Sequence, residues 1–203
     1  MQCKRRIILL FLMILCSLTA CKNVVKEYRK EGITALEKGD AKKALENFNL
    51  ALDKSKGKVG TVQFDILLYK VEAEIHLGKL GDAAEDLKNV ETLTGKKYEK
   101  LTDLIKAKEC VQSAGEALNK EDLSSARKYL DEVKAKGLTN DRELEYNEAV
   151  YLEKAGEWKK AYEAFTQYSS RYPEDSVAER EVQFLENRVK ELENNALLSA
   201  GKQ

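Results

Sequence analysis

The sequence predicts an all-α fold: a stack of helix-turn-helix units, closed at its C-terminal end by one more helix. Three observations carry this. A short segment recurs four times, with the shared alanines Ala44, Ala83, Ala126 and Ala161 lying 39, 43 and 35 residues apart. Between these segments apolar residues return every three or four positions, the period of a helix with one buried face. The composition suits solvated helices: of 203 residues, 34% are charged, 43% are hydrophobic and one is proline,.

The first segment is Gly39-Asp40-Ala41-Lys42-Lys43-Ala44, with Leu45 and Phe48 after it; the second is Gly78-Lys79-Leu80-Gly81-Asp82-Ala83, then Leu87. The third is Glu121-Asp122-Leu123-Ser124-Ser125-Ala126, then Leu130, and the fourth Gly156-Glu157-Trp158-Lys159-Lys160-Ala161, then Phe165. Seven residues before each turn stand Gly32, Val71, Ala114 and Ala149. Two helices cross closely only where one side chain is small, and a larger one a turn away fills the space beside it. The helices expected are 24–38, 41–54, 61–77, 80–93, 96–119, 122–136, 140–155, 158–171 and 175–197. Gly39 and Gly156 suit the left-handed residue that ends a helix. Asp40 and Asp122 can cap the helix that follows, and Asn140 with Glu143 can form a capping box. The last helix carries Val182, Leu185, Val189 and Leu192. That stripe caps the stack or, alternatively, forms the seam of a homodimer; two heptads are too few to specify a coiled coil alone.

With the turns in this register, the chain resembles the tetratricopeptide repeat, a helix-turn-helix of about 34 residues with an Ala-x-x-x-Phe core pair and a closing proline. Ala44–Phe48 and Ala161–Phe165 match that pair, and Pro173 follows Ala161 by 12 residues, where the family's proline stands. The likeness covers about residues 25 to 173 and implies a tetratricopeptide-like helix-turn-helix solenoid of about four repeats plus a C-terminal capping helix. The stretches 55–61 and 96–118 are longer than the family's pattern. The resemblance further implies that the first helix of each repeat lines a groove for a peptide or partner. In this register those positions are Arg29, Ile33 and Leu36; Leu68, Glu72, Ile75 and His76; Val111, Leu118 and Asn119; and Tyr146, Val150 and Glu153. Ile33 and Glu72 stand where the family's carboxylate clamp would want asparagine and lysine. The ligand implied is an amphipathic helix or extended peptide held by apolar contacts, with Tyr146 as an anchor. The alternative is that these side chains only pack between repeats.

The N-terminus has a separate meaning. Lys4, Arg5 and Arg6 precede an apolar run from Ile7 to Leu15 and small residues up to Cys21. This is the pattern of a secretory signal, and the run is shorter than the roughly 20 apolar residues that span a bilayer. Leu18-Thr19-Ala20-Cys21 resembles the bacterial lipobox. The resemblance implies cleavage after residue 20 and a covalent diacylglycerol with fatty-acyl chains such as palmitate on Cys21, and two acyl chains hold a protein stably in a bilayer. The organisation expected is therefore 1–20 signal peptide, 21–23 lipidated end and tether, 24–173 repeats, and 174–203 capping helix and tail. Such a chain sits at the extracytoplasmic face of the cell membrane, or on an outer membrane where the cell has one. Lys22 is not the aspartate that retains lipoproteins at the inner membrane of enteric-type cells.

Loss of Lys4, Arg5 and Arg6 from the 35 basic residues leaves 32 against 35 acidic, a net charge of −3. A nucleic-acid binder would instead show a basic stripe. The mature length of about 183 residues suits one domain. Cys110 is the one cysteine left after cleavage and lipidation, so no internal disulfide is expected; it reads as a small buried hydrophobe,. His76 is the one histidine, too few for a triad or a zinc site,. Gly57-Lys58-Val59-Gly60-Thr61 lacks phosphate-loop spacing,. Glu37, Glu72 and Glu153 read as carboxylates of solvated helix faces. The functional expectation is a membrane-anchored interaction module, not an enzyme, with a peptide or envelope protein as partner and no cofactor besides the lipid. The alternative is an assembly factor, since Tyr172-Pro173 resembles the repeat lipoproteins of outer-membrane protein or pilus assembly.

Overall fold

In the computed structural model, which describes residues 24–55 and 58–200, the four recurring segments fold into one and the same backbone turn. At its apex a residue takes the left-handed conformation: Gly39 (φ 77°), Gly78 (φ 69°), Glu121 (φ 60°) and Gly156 (φ 75°). The next N–H reaches back five residues, from Asp40 to Ala35, Lys79 to Glu74, Asp122 to Ala117 and Glu157 to Leu152, each at 2.9 Å. The apex N–H reaches back three, to Leu36, Ile75, Leu118 and Glu153. These are Schellman closures, which satisfy carbonyls that a helix end would otherwise leave bare. Identical turns at four sites show the repeat in the backbone itself. Glu121 makes the turn without the glycine that suits it.

The helices among the described residues are α1 (described from 24 and ending at 37), α2 (Ala41–Lys54), α3 (Thr61–His76), α4 (Leu80–Thr94), α5 (Glu99–Asn119), α6 (Leu123–Ala135), α7 (Arg142–Lys154), α8 (Trp158–Arg171) and α9 (Ser176–Ala200). No strand occurs among the described residues. The arrangement is all-α and tetratricopeptide-like, with consecutive helices packed in pairs. The expected signal peptide, Cys21 and its tether lie outside the described residues.

At two helix starts the structure departs from the sequence reading for a local cause, and the other bounds shift by at most three residues. The helix expected from residue 96 starts at Glu99, because Gly95 ends α4 in a left-handed conformation (φ 68°). There the Glu91 carboxylate accepts the Tyr98 N–H at 2.9 Å and pairs with Lys97 at 2.6 Å, holding 95–98 out of either helix. The cap of α7 is Asp141, which accepts the Leu144 N–H at 3.0 Å; Asn140 sits at φ 55° outside the helix and forms no capping box. Both residue types cap well, but asparagine also tolerates the left-handed region, and here it takes that role. Asp40 and Asp122 do cap as expected, accepting from Lys43 and Ser125 at 3.0 Å.

The chain divides into two compact units, the first ending at Ile105 and the second beginning at Lys106, within α5. In the first unit, one core gathers Val25, Ala35, Ala44, Phe48, Ala51, Ile66 and Ala73. A second gathers Val71, Ile75, Leu80, Ala83, Leu87 and Ile105. The Phe48 ring lies directly on Gly32: a Cβ there would come within 2.5 Å of it. Glu74 is buried beneath α4, one oxygen 2.9 Å from Lys70 Nζ, and Lys70 also pairs with Asp86. The other Glu74 oxygen has no partner, and burial raises the carboxyl pKa.

In the second unit Val111, Ala114, Leu130, Val133 and Leu144 form one core, with Ala117, Leu118 and Ala126 beside it. Ala149, Ala161, Phe165, Tyr168, Ala178 and Leu185 form another. The positions aligned by the repeat, Ala44/Phe48, Ala83/Leu87, Ala126/Leu130 and Ala161/Phe165, are all buried. On α9, Ala178, Val182 and Leu185 pack onto α7 and α8, while Glu179, Gln183 and Lys190 face solvent. The helix caps the second unit as expected. Its start is fixed by a cluster that the sequence did not announce. The Tyr168 hydroxyl donates to Asp175 at 2.9 Å and accepts from Arg142 Nε at 3.0 Å, and Arg142 also pairs with Glu174 at 2.8 Å.

Candidate partner-binding faces

The first-helix positions read from the sequence divide into exposed, half-buried and buried sets. In the first unit Arg29 bonds Asp65 on α3 and lies 5.5 Å over the Tyr69 ring. Ile33 and Leu36 pack against the Phe48 core, and Leu68 against the Val71 core, each only partly covered. His76 is exposed. Glu72, expected on a solvated face, is half-buried: desolvation raises its pKa, and His76 one turn on partly offsets this. Ile75 is not a face residue. It is 3% exposed, enclosed by Leu80, Leu87 and Ile105.

In the second unit Val111 and Leu118 are likewise core residues rather than groove residues. The reason is the neighbouring helix. Asn147 of α7 lies across Gly115 and donates its side-chain amide to the Val111 carbonyl at 3.0 Å, covering that stretch of α5. Asn119 is exposed at the end of α5. Tyr146, Val150 and Glu153 do share one half-buried face of α7. The Tyr146 ring meets Phe165 at 5.7 Å and Tyr168 at 5.4 Å, both edge-on. It is thus partly a core residue, and a role as a free-standing anchor is corrected to that extent.

The electrostatics of this face were not legible in the sequence. Desolvation raises the pKa of Glu153, and Glu181 of α9 raises it further. The same burial, with Glu181, Asp175 and Glu153 nearby, raises that of Tyr146. Glu181 is thus close enough to Glu153 and Tyr146 to be felt by both, and neither carboxylate is in an ion pair among the described residues. A partly desolvated carboxylate beside a second one is a surface that a cation would complement,. Val177 and Phe184 add exposed apolar surface on α9, at 42% and 53%. Cys110 is half-buried on α5, and burial raises its thiol pKa, the condition of an unreactive thiol,. Among the described residues no group of three ligands could hold a metal ion, and no helix is long and apolar enough to cross a membrane.

These features define a helical repeat protein with partly desolvated faces on its first helices. No protein-family model and no curated protein matches the chain. Among solved structures it is similar to a tetratricopeptide repeat protein from Parabacteroides merdae ATCC 43184, at 14% identity over 80% of this chain and 72% of that one, with a TM-score of 0.35. That alignment is loose; the repeat rests on the four identical turns.

Proposed function

We propose that the chain is a membrane-anchored protein-interaction module outside the cytoplasm, holding a peptide or envelope protein on the first-helix faces of its repeats. The observation that carries the interaction role is the α7–α9 face. There the half-buried Glu153 and Tyr146, with Glu181 close to both, adjoin the exposed Val177 and Phe184, a surface that a basic, partly apolar partner would complement,. The anchor reading is supported by Leu18-Thr19-Ala20-Cys21 and by the short basic-then-apolar segment before it,.

A photo-crosslinking residue at Phe184, in native cells, tests the interaction role. A discrete partner captured there, and not from the same probe at exposed Lys128 on α6, supports the reading. Equal capture from both positions, or none from Phe184, sinks it. Tyr146→Phe and Glu153→Gln then separate binding from folding, which Tyr146→Ala would not, because the ring also packs on Phe165 and Tyr168. The anchor is tested by labelling cells with a traceable fatty acid: the wild-type chain takes up label and Cys21→Ser does not. An unlabelled wild-type chain removes the anchor.

A further inference from the structure

At one edge of the first unit, the start of α1, the end of α2 and the start of α3 meet around a cleft of about 380 Å³. Its lining includes Val25, Lys26, Lys54, Lys58, Thr61 and Val62, and no carboxylate. All three lysines are exposed, and none is in an ion pair among the described residues. Glu27 and Asp53 neighbour them in sequence but do not line the cleft. Beside it, Val59 is 75% exposed and Val62 is 41% exposed. Apolar side chains held in water next to unpaired ammonium groups match the chemistry of a bilayer interface, where anionic headgroups lie over acyl chains.

The position of this edge in the chain names the occupant. Residue 24, the first described residue of α1, stands three positions after Cys21. Three residues span at most about 11 Å when fully extended. A lipid on Cys21 therefore brings residue 24, and the cleft that Val25 and Lys26 line, to within the depth of the headgroup layer. We propose that this edge is a second membrane contact: Lys26, Lys54 and Lys58 engage anionic headgroups while Val59 and Val62 enter the interface, so the first unit is oriented on the bilayer rather than tethered loosely above it. The proposal rests on the reading of Cys21 as lipidated. Each lysine near an anionic surface contributes roughly a fivefold gain in surface partitioning, enough for three to fix an orientation once the acyl chains supply the attachment.

The test uses the lipidated full chain purified from bacterial membranes and reconstituted into nanodiscs. An environment-sensitive dye is placed at position 59 (Val59→Cys, with Cys110→Ser), or as a control at position 79 (Lys79→Cys, with Cys110→Ser) in the α3–α4 turn, at the other end of α3. On phosphatidylglycerol discs the position-59 emission should shift to shorter wavelength, and the control should not. The shift should disappear on phosphatidylcholine discs and in Lys54→Glu/Lys58→Glu, whose helical circular dichroism should stay unchanged because both lysines are exposed. A position-59 dye that stays in water on phosphatidylglycerol discs overturns the proposal while leaving the anchor intact. So does a shift that survives the lysine reversals or that the control shares. A chain that carries no lipid and does not attach to discs overturns the anchor, and this orientation with it.

Discussion

Gly32→Ala sets two rules against each other. By helix propensity alone, alanine should stabilise the interior of α1 by about 1 kcal/mol. The packing says otherwise. The new Cβ would lie 2.5 Å from Phe48 Cε1 and 2.8 Å from Cδ1 and Cζ, distances at which something must move. The ring has no room to retreat: Phe48 is 0% exposed and stacks on Tyr69 at 5.9 Å and 16°, with Arg29 over the far ring. Overpacking of this kind costs about 1–3 kcal/mol, and a ring enclosed on both sides falls toward the upper end. The net expectation is a loss of about 2 kcal/mol, read from urea unfolding followed by circular dichroism. Gly81→Ala in α4, whose Cβ would meet nothing within 4 Å, is the control and should gain up to about 1 kcal/mol,. Phe48→Leu shortens the obstacle, so the double variant should be more stable than the sum of the single losses by at least about 1 kcal/mol. A Gly32→Ala protein as stable as wild type, or strict additivity with Phe48→Leu, would refute the contact and with it the register that pairs these two positions.

Three further outcomes are expected. Glu121→Gly should raise stability by about 1 kcal/mol in the same assay, since Glu121 holds φ 60° where the other three turns have glycine; no gain would mean that the local backbone carries no strain there,. Glu153→Gln should stabilise at neutral pH, because the raised pKa of Glu153 means the folded state resists its ionisation. That handicap is absent below the unfolded-state pKa and grows as pH rises through the folded value, so the gain should shrink as the pH is lowered into the carboxylate range; a pH-independent difference would contradict it. Ala161→Glu should unfold most of the second unit, because a charge would be forced among Ala149, Phe165 and Leu185, and a melt that matches wild type would mean Ala161 is not in that core,.

The helices and their register were legible because each repeat writes its own punctuation. A left-handed apex, an alanine five residues later and a large residue four beyond that are local signals, and local signals survive in sequence. What escaped depended on partners far along the chain. Val111 looks like a first-helix groove position until Leu130, Val133 and Leu144, 19 or more residues later, form a core around it. Ile75 is hidden by Ile105, and Glu153 becomes costly to ionise because Glu181 arrives on another helix. Arg142, Tyr168 and Asp175 join three helix ends that no spacing rule connects. The Asn140–Asp141 slip is of another kind: two adjacent residues with the same capping chemistry differ only in which one tolerates a positive φ.

The solvent face of α9 determines how this chain can be extended. A further repeat would have to seat its helices on Glu179, Gln183 and Lys190, and Lys190 is already paired with Glu186 at 2.6 Å. Docking on these positions would strip water from several charges, and the apolar surface that α9 does expose, at Val177 and Phe184, lies off this face at helical spacing,. Repeats appended at the C-terminus would therefore remain undocked unless these positions were first recoded as alanine and leucine. For the same reason head-to-tail growth of many chains into a filament cannot run through this face of α9, which closes the second unit the way an inhibited end stops a polymer.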